Sequence, residues 1–445
     1  MTIDTVPAIL QPGSTWTNWS RVERSRPVFT AAPTSVDEVV EVIRFARESG
    51  LTVKTVGAGH SFSGIAAAPG IQLDVSAIAG LQGVDLTRGR VTLGAGTRLH
   101  ELPGLLAPYG LALENMGDID RQTIAGATST GTHGTGARFG SLSTQILAVT
   151  LVTADAAVLR ISATENPELL PAARLGIGAL GVMVDVTLQC VPSFVLDAVE
   201  RPTGFDEVLD SFEELATSVD HFEFYWWPHT NRVMTKSNRR LPGDAERRPT
   251  GALSGWIEDR VLSNTLLSIA CNVGRIVPAA TPSINRLATR IYGNRSFSDF
   301  SHDVFVSPRT TRFREMEYAI PREAVPDALR AIRSVIDSRG LRISFPVEVR
   351  VAAADENWLS TASGRDSGYI AVHRYFRDDH DEYFRAVEEV MRAYRGRPHW
   401  GKIHYQDAAS LAELYPHHGD FRGVRDRLDP ARLFTNPYLD RVLGP

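Results

Sequence analysis

The sequence predicts an α+β protein of two domains, and three observations carry that expectation. A chain of 445 residues is longer than one hydrophobic core ordinarily serves. Two glycine-dense segments, at 57–64 and 117–140, lie among short strands near the start of the chain. After Pro192 the character changes to strands alternating with amphipathic helices, the pattern of helices laid on an antiparallel sheet. The expected divisions are 1–193, 194–405, and a tail, 406–445, that returns to the first domain.

The elements follow from local pattern. Ser35-Val36-Asp37-Glu38 is a capping box, Val36, Val39, Val40, Ile43 and Ala46 keep a 3.6-residue period, and Gly50 stops the helix. Strands are expected at Thr52 to Val56, Ile71 to Val75 and Val91 to Leu93, with Thr97 capping a helix to about Leu106. Two more strands follow at Ile146 to Val152 and Val182 to Val191. In the second domain a strand opens at His221 and carries Tyr225-Trp226-Trp227, and a charged surface loop spans Leu241 to Thr250. Strands at Met316 to Ile320, Ile343 to Val351 and Tyr369 to Phe376 alternate with helices at Glu323 to Ser338 and Asp381 to Tyr394. The stretch from Phe421 onward is helical at first.

Composition narrows the function. Hydrophobic residues at 43% and charged residues at 22% are those of a soluble globular protein. A net charge of −5 argues against nucleic acid as the main partner. Cys190 and Cys271 form neither a disulfide framework nor a zinc set, which fits a reducing compartment. Residues 1–13 lack the features of a signal peptide, and no window approaches a membrane span. The expected location is cytoplasmic, with at most peripheral membrane contact.

The first glycine-dense stretch, Val56-Gly57-Ala58-Gly59-His60-Ser61-Phe62, turns sharply after a strand and exposes main-chain donors able to cradle a pyrophosphate. Phe62 and Pro69-Gly70 exclude a Rossmann fingerprint, which needs a third glycine and a long helix. The second, Ile124 to Gly136, is almost wholly Gly, Ala, Ser, Thr and His. Little core can be built from it, and its donors suit close approach of a large polar ligand. Glu348 and Arg350 stand two apart on a strand and so share a face; a salt bridge on a solvated sheet is the bland alternative. Tyr369, Ala371, His373 and Tyr375 share a face likewise. His399 with His404, and His417-His418, lack a carboxylate or cysteine pattern for a metal, so no metal site is expected.

Five motifs in order, Val56-Gly-Ala-Gly-His60-Ser-Phe, Gly131-Thr-His133-Gly-Thr-Gly136, Glu348-Val-Arg350, His399-Trp-Gly-Lys402 and Phe434-Thr-Asn436-Pro-Tyr-Leu439, resemble those of the FAD-linked aldonolactone oxidoreductases and alditol oxidases. These belong to the vanillyl-alcohol oxidase superfamily, and the similarity covers nearly the whole chain. The resemblance implies a PCMH-type FAD-binding domain completed by the C-terminal tail, and an α+β cap domain over the isoalloxazine ring. It implies FAD bonded through its 8α-methyl to His60. It also implies cofactor contacts at Val56, Gly57, Ala58, Gly59, His60, Ser61, Phe62, Asp118, Thr123, Gly126, Ala127, Thr130, Gly131, Thr132, His133, Gly134, Gly181, Val182 and Asn436. Glu348 is the implied base, kept ionised by Arg350, whose positive charge lowers a carboxyl pKa. Lys402 is implied to bind substrate oxygens. His373 falls where alditol oxidases carry a substrate-contacting threonine, and Ala127 where they carry a serine. That departure weakens a polyol substrate and makes His373 a rival base. The implied activity is oxidation of an aldono-1,4-lactone, such as L-gulono-1,4-lactone, to an ascorbate-type product, with oxygen or a redox carrier as electron acceptor. An alditol oxidase, a flavin reductase running in reverse, and a binding protein that has kept only the fold stay open at this point.

Overall fold

The computed structural model describes residues 6–251, 267–291, 293–307 and 311–445. Residues 1–5, within the segment 1–13 read for signal-peptide features, lie outside the described residues. The helix Val36–Ser49 begins and ends as its sequence dictates. Ser35 accepts from the amide of Glu38, and Gly50 closes the last turn at φ 65°. Beside it lies a four-stranded sheet in the order Gln11–Pro12, Phe29–Ala31, Ile71–Asp74, Val53–Val56, parallel except for its first pair. A five-stranded antiparallel sheet follows, ordered Val158–Ser162, Ile146–Val152, Val182–Gln189, Arg90–Gly94, Leu81–Asp85. Both share one apolar core, which also takes in Phe421, Tyr438, Leu439 and Leu443 from the tail.

The third layer is an eight-stranded antiparallel sheet. Its order is Arg295–Phe300, Phe194–Gly204, Arg232–Pro242, His221–Trp226, Val347–Ala352, Ser367–Tyr375, Phe313–Pro321, Arg397–Pro398. Helices Val325–Ser338 and Asp381–Ala393 cover one face and form a second core with it. Burying Leu329, Ile332, Ile336 and Phe384 there is worth roughly 1.5–3 kcal/mol each. Strand alternation then fixes everything else. Phe222 and Phe224, Met316 and Tyr318, Val347 and Val349, Ile370 and Val372 point to the helices. Their neighbours Glu223, Tyr225, Glu315, Glu317, Glu348, Arg350, Tyr369 and His373 are therefore sent to the opposite face.

Three expectations change. Thr97 caps no helix: its hydroxyl donates to the Gly94 carbonyl (2.7 Å) and accepts from the Gly80 amide (2.9 Å), tying a turn instead. A 3-10 turn, Leu99–Glu101, and the short helix Leu102–Leu106 follow it. The strand expected from Ile343 pairs only from Val347, because Pro346 has no amide to give a ladder. The small-residue stretch builds more core than expected: Ile124–Thr130 is a helix, and Ile124, Ala125 and Ala127 are buried in the first core. Among the described residues no helix is long and apolar enough to cross a membrane.

Candidate active site

Strand Val53–Val56 delivers the chain into the His60 turn, and helix Ile124–Thr130 faces it. Thr123 caps that helix, accepting from the Gly126 amide at 3.2 Å. A Cβ on residue 57 would sit 2.3 Å from the Thr123 hydroxyl, so only glycine lets turn and cap meet. Between them runs a partly open lobe, about 930 Å³ with its solvent-facing space included, floored by Gly57, Gly59, Gly126, Gly178 and Gly181. Lys54 is buried at its end, donating to the carbonyls of Gly178 (3.0 Å) and Phe434 (3.4 Å). Burial, with Arg425 adding repulsion, pushes its ammonium down to about 7. His60 stands where the lobe ends. Burial first, then Arg98 and Arg121, hold its imidazole down to about 4, so it is neutral at pH 7.

A second lobe, also about 930 Å³, shares His60, Ser61, Gln122 and Thr130 with the first and opens under the charged face of the large sheet. Two ionic clusters line it. In one, Arg350 is paired with Glu348 and reaches Glu223 (3.0 Å) and Asp118 (3.3 Å), while Tyr225 donates to Glu348 at 3.1 Å. Burial opposes Arg350's charge, but the three carboxylates outweigh it and hold its pKa well above the ordinary value. Glu348 departs from expectation. Burial raises its pKa, and Arg350, shared among three acids, offsets only part of that; Asp118 and Glu223 push it up further.

In the other cluster Lys402 lies between Glu315 (2.5 Å) and Glu317 (2.9 Å). Glu317 also meets His133 at 2.9 Å, and His373 lies 3.4 Å from Glu315 with its other ring nitrogen on the Pro346 carbonyl. Burial alone would raise both glutamates. Lys402 and His373 bring Glu315 down to about 2, and Lys402 with His133 holds Glu317 well below its ordinary value. The same carboxylates overcome burial to hold Lys402 above the usual lysine range. Burial takes His399 down to about 3. Its carboxylate neighbour Glu317, not visible from spacing, completes a triad with His133, and Glu315, Glu348 and His373 form another. The Lys402 ammonium stands at their junction as the cation these acids face. Phe62, Phe313 and Phe345 supply the apolar wall.

A family model described as D-arabinono-1,4-lactone oxidase matches residues 186–442, and one described as FAD binding domain matches 27–162. L-gulono-1,4-lactone dehydrogenase of Mycobacterium tuberculosis is 44% identical over 97% of this chain and 99% of its own. The chain belongs to the aldonolactone oxidoreductase family. This family member is also 33% identical to L-gulonolactone oxidase of Bos taurus, over 97% of this chain and 98% of that one. It is 31% identical to alditol oxidase of a Streptomyces species, over 96% and 98%. Cholesterol oxidase from Brevibacterium sterolicum shares its fold, with a TM-score of 0.84 at 18% identity over 100% of this chain and 99% of that one. The oxidoreductase is thus an FAD enzyme, and its residues fit the cofactor. The glycine-floored lobe lets a ligand approach the main chain closely, and it meets the ionic lobe at His60.

In this oxidoreductase Gly57, Ala58, Gly59, His60, Ser61, Thr123, Gly126, Thr130 and Gly181 line the first lobe. Phe62, Asp118, Thr132, His133, Glu348, Arg350, His373 and Lys402 line the second. Six expected contacts line neither. Val56 and Val182 are buried strand residues, and Ala127 is in the core. Gly131 closes the helix at φ 81°. Gly134 lies against the Met116 carbonyl, 2.3 Å from where a Cβ would be. Asn436 donates to the carbonyls of Gly64, Ile65 and Ala67 at 2.9–3.2 Å, bracing the chain beyond the His60 turn. Sequence reasoning passed over Lys54, Glu223, Glu315 and Glu317. The signal available for the last two was acids alternating with Met316 and Tyr318 along one strand.

Proposed function

We propose that this enzyme oxidises the secondary hydroxyl of an aldono-1,4-lactone, L-gulono-1,4-lactone or a close relative, to a 2-keto lactone that enolises to an ascorbate-type product. The observation that carries the reading is the gathering of Glu348, Arg350, His373 and Lys402 in the lobe that His60 borders. FAD, bonded to His60 and held by residues 57–62 with Thr123, Gly126, Thr130, Thr132, His133 and Gly181, would supply the hydride acceptor. The other parts fall to side chains. Glu348, steadied by Tyr225 and Arg350, takes the hydroxyl proton, and its raised pKa makes it a stronger base than a solvated carboxylate. Lys402 and Arg350 bind lactone oxygens and stabilise charge that develops on them. His373, within 4.8 Å of Glu348 and Glu315, flanks the same hydroxyl. Neutral His60 has a lone pair free for the bond to carbon.

Residues 1–193 and 406–445 would form the FAD-binding domain, residues 194–405 the cap, and the protein would act in the cytoplasm. Absorbance of the purified protein before and after acid precipitation tests the His60 bond: yellow colour should stay with the pellet, and His60→Ala should release it. Steady-state assays with L-gulono-1,4-lactone against xylitol test the substrate. Faster turnover of xylitol would favour the alditol oxidase reading.

A further inference from the structure

We propose that Lys54 binds the adenylate half of FAD and thereby makes this enzyme select FAD over FMN. The proposal rests on the reading that the first lobe holds the cofactor with its ring at His60. The ammonium donates to an acceptor on the second nucleotide: a purine nitrogen, a ribose hydroxyl or a phosphate oxygen.

Only three of the 47 basic residues are lysines, and each is buried or nearly so. Lys402 lies between Glu315 and Glu317, and Lys236 is 3.7 Å from Glu223. Lys54 differs. It is 2% exposed, yet among the described residues no carboxylate pairs with it. Asp429, the acid whose field reaches it, spends its two oxygens on the amides of Leu433 (2.7 Å) and Phe434 (2.8 Å), and buried Arg425 repels it. An ammonium has three N–H donors, and the carbonyls of Gly178 and Phe434 take two of them. A buried charge without a counter-charge is costly to a fold, so Lys54 serves a ligand rather than stability.

The ligand follows from where Lys54 stands. With Gly178, Leu151 and Met183 it lines the first lobe and not the second, whereas His60 lines both. A dinucleotide whose ring sits at His60 therefore runs its other nucleotide toward Lys54, and a mononucleotide stops short. Leu151 and Met183 are partners across paired strands and give an apolar seat for a purine face. The loop that meets Lys54 is strained. Ile177, a β-branched residue, is held at φ 45° and Gly178 at φ 66°, with the Ile177 amide donating to the Ser129 carbonyl at 3.1 Å. That conformation sets the Gly178 carbonyl on Lys54, and a Cβ at 178 would lie 3.2 Å from the lysine nitrogen. Strain of this kind is kept where a ligand clamp needs it.

The test uses the full chain carrying His60→Ala, whose flavin exchanges after dialysis against bromide. FAD, FMN and ADP are the probes, read by fluorescence quenching or by competition. Lys54→Met in that background should weaken FAD and ADP by about tenfold or more and leave FMN within about twofold. Lys54→Gln, which keeps donors for the two carbonyls without the charge, should weaken FAD and ADP too, and Lys54→Arg should restore most of the affinity. Gly57→Val, which crowds the turn against Thr123, should weaken FMN and FAD alike. FAD and ADP bound as tightly by Lys54→Met and Lys54→Gln as by their parent would overturn the proposal, while a loss in Gly57→Val upholds the lobe reading. Unchanged binding of both flavins in Gly57→Val would sink that reading and the proposal with it. Equal loss of FMN and FAD in Lys54→Met, with a lower melting temperature of the flavin-free protein, would mark Lys54 as a brace for the tail and overturn the proposal as well.

Discussion

Glu348 shows how burial and pairing divide a carboxylate's behaviour. Its neighbour Arg350 is two residues along the same strand face, which the sequence makes plain. What the spacing hides is that Asp118 and Glu223, from distant segments, compete for the same guanidinium. The pKa of Glu348 is raised, so kcat/KM for lactone should fall on the acid side at a pH above the ordinary carboxylate range. Glu348→Gln should lower the rate by about 10²–10⁴-fold and remove that limb from the profile. Glu315 and Glu317 behave oppositely. Their folded pKa values are depressed, so the stability they confer is complete above about 4.5 and is lost as pH falls below it, for Glu315 toward about 2. Acid unfolding followed by circular dichroism should steepen over that interval. Lys402→Met should strand two buried acids and cost about 3–5 kcal/mol at neutral pH, read by urea titration.

Single strands and turns were the most legible level. The Ser35 cap, the Gly50 stop and the two-residue alternation that sets Glu348 with Arg350, and Tyr369 with His373, on one sheet face all follow from spacing alone. Glu315 and Glu317 were missed because an acid on a strand is ordinary until pairing sets it beside Lys402 and His133. The helix Ile124–Thr130 was missed because Ala, Gly, Ser and Thr carry too little hydrophobic contrast to show a 3.6-residue period, and Thr123, its cap, was read only as a cofactor contact. Its exit is tightly built. Gly134→Ala would thrust a methyl to 2.3 Å from the Met116 carbonyl and 2.5 Å from the Asn115 amide oxygen. That substitution should cost about 1–3 kcal/mol and lower the flavin retained through gel filtration. Gly104→Ala, in a helix with open space around it, should instead be neutral or stabilising by up to about 1 kcal/mol in thermal melts.

Across the whole molecule, the His60 turn near the start of the chain is finished by residues 433–439. The Val53 amide donates to Leu433, Lys54 to Phe434, and Asn436 caps the helix Pro437–Leu443 while holding three carbonyls beyond the turn. Asn436→Ala should therefore lower both melting temperature and bound flavin, with at least about 1–2 kcal/mol from the lost cap alone. Melts of the variant with and without added FAD will separate the two effects. The same stitching orders events during biosynthesis. A nascent polypeptide still tethered to the ribosome has translated His60 some 370 residues before Asn436 appears, a separation matching the 372 and 371 residues spanned by its bonds to Gly64 and Ile65. Firm loading of the prosthetic group is accordingly expected only once residues 433–439 have emerged and docked beside that turn.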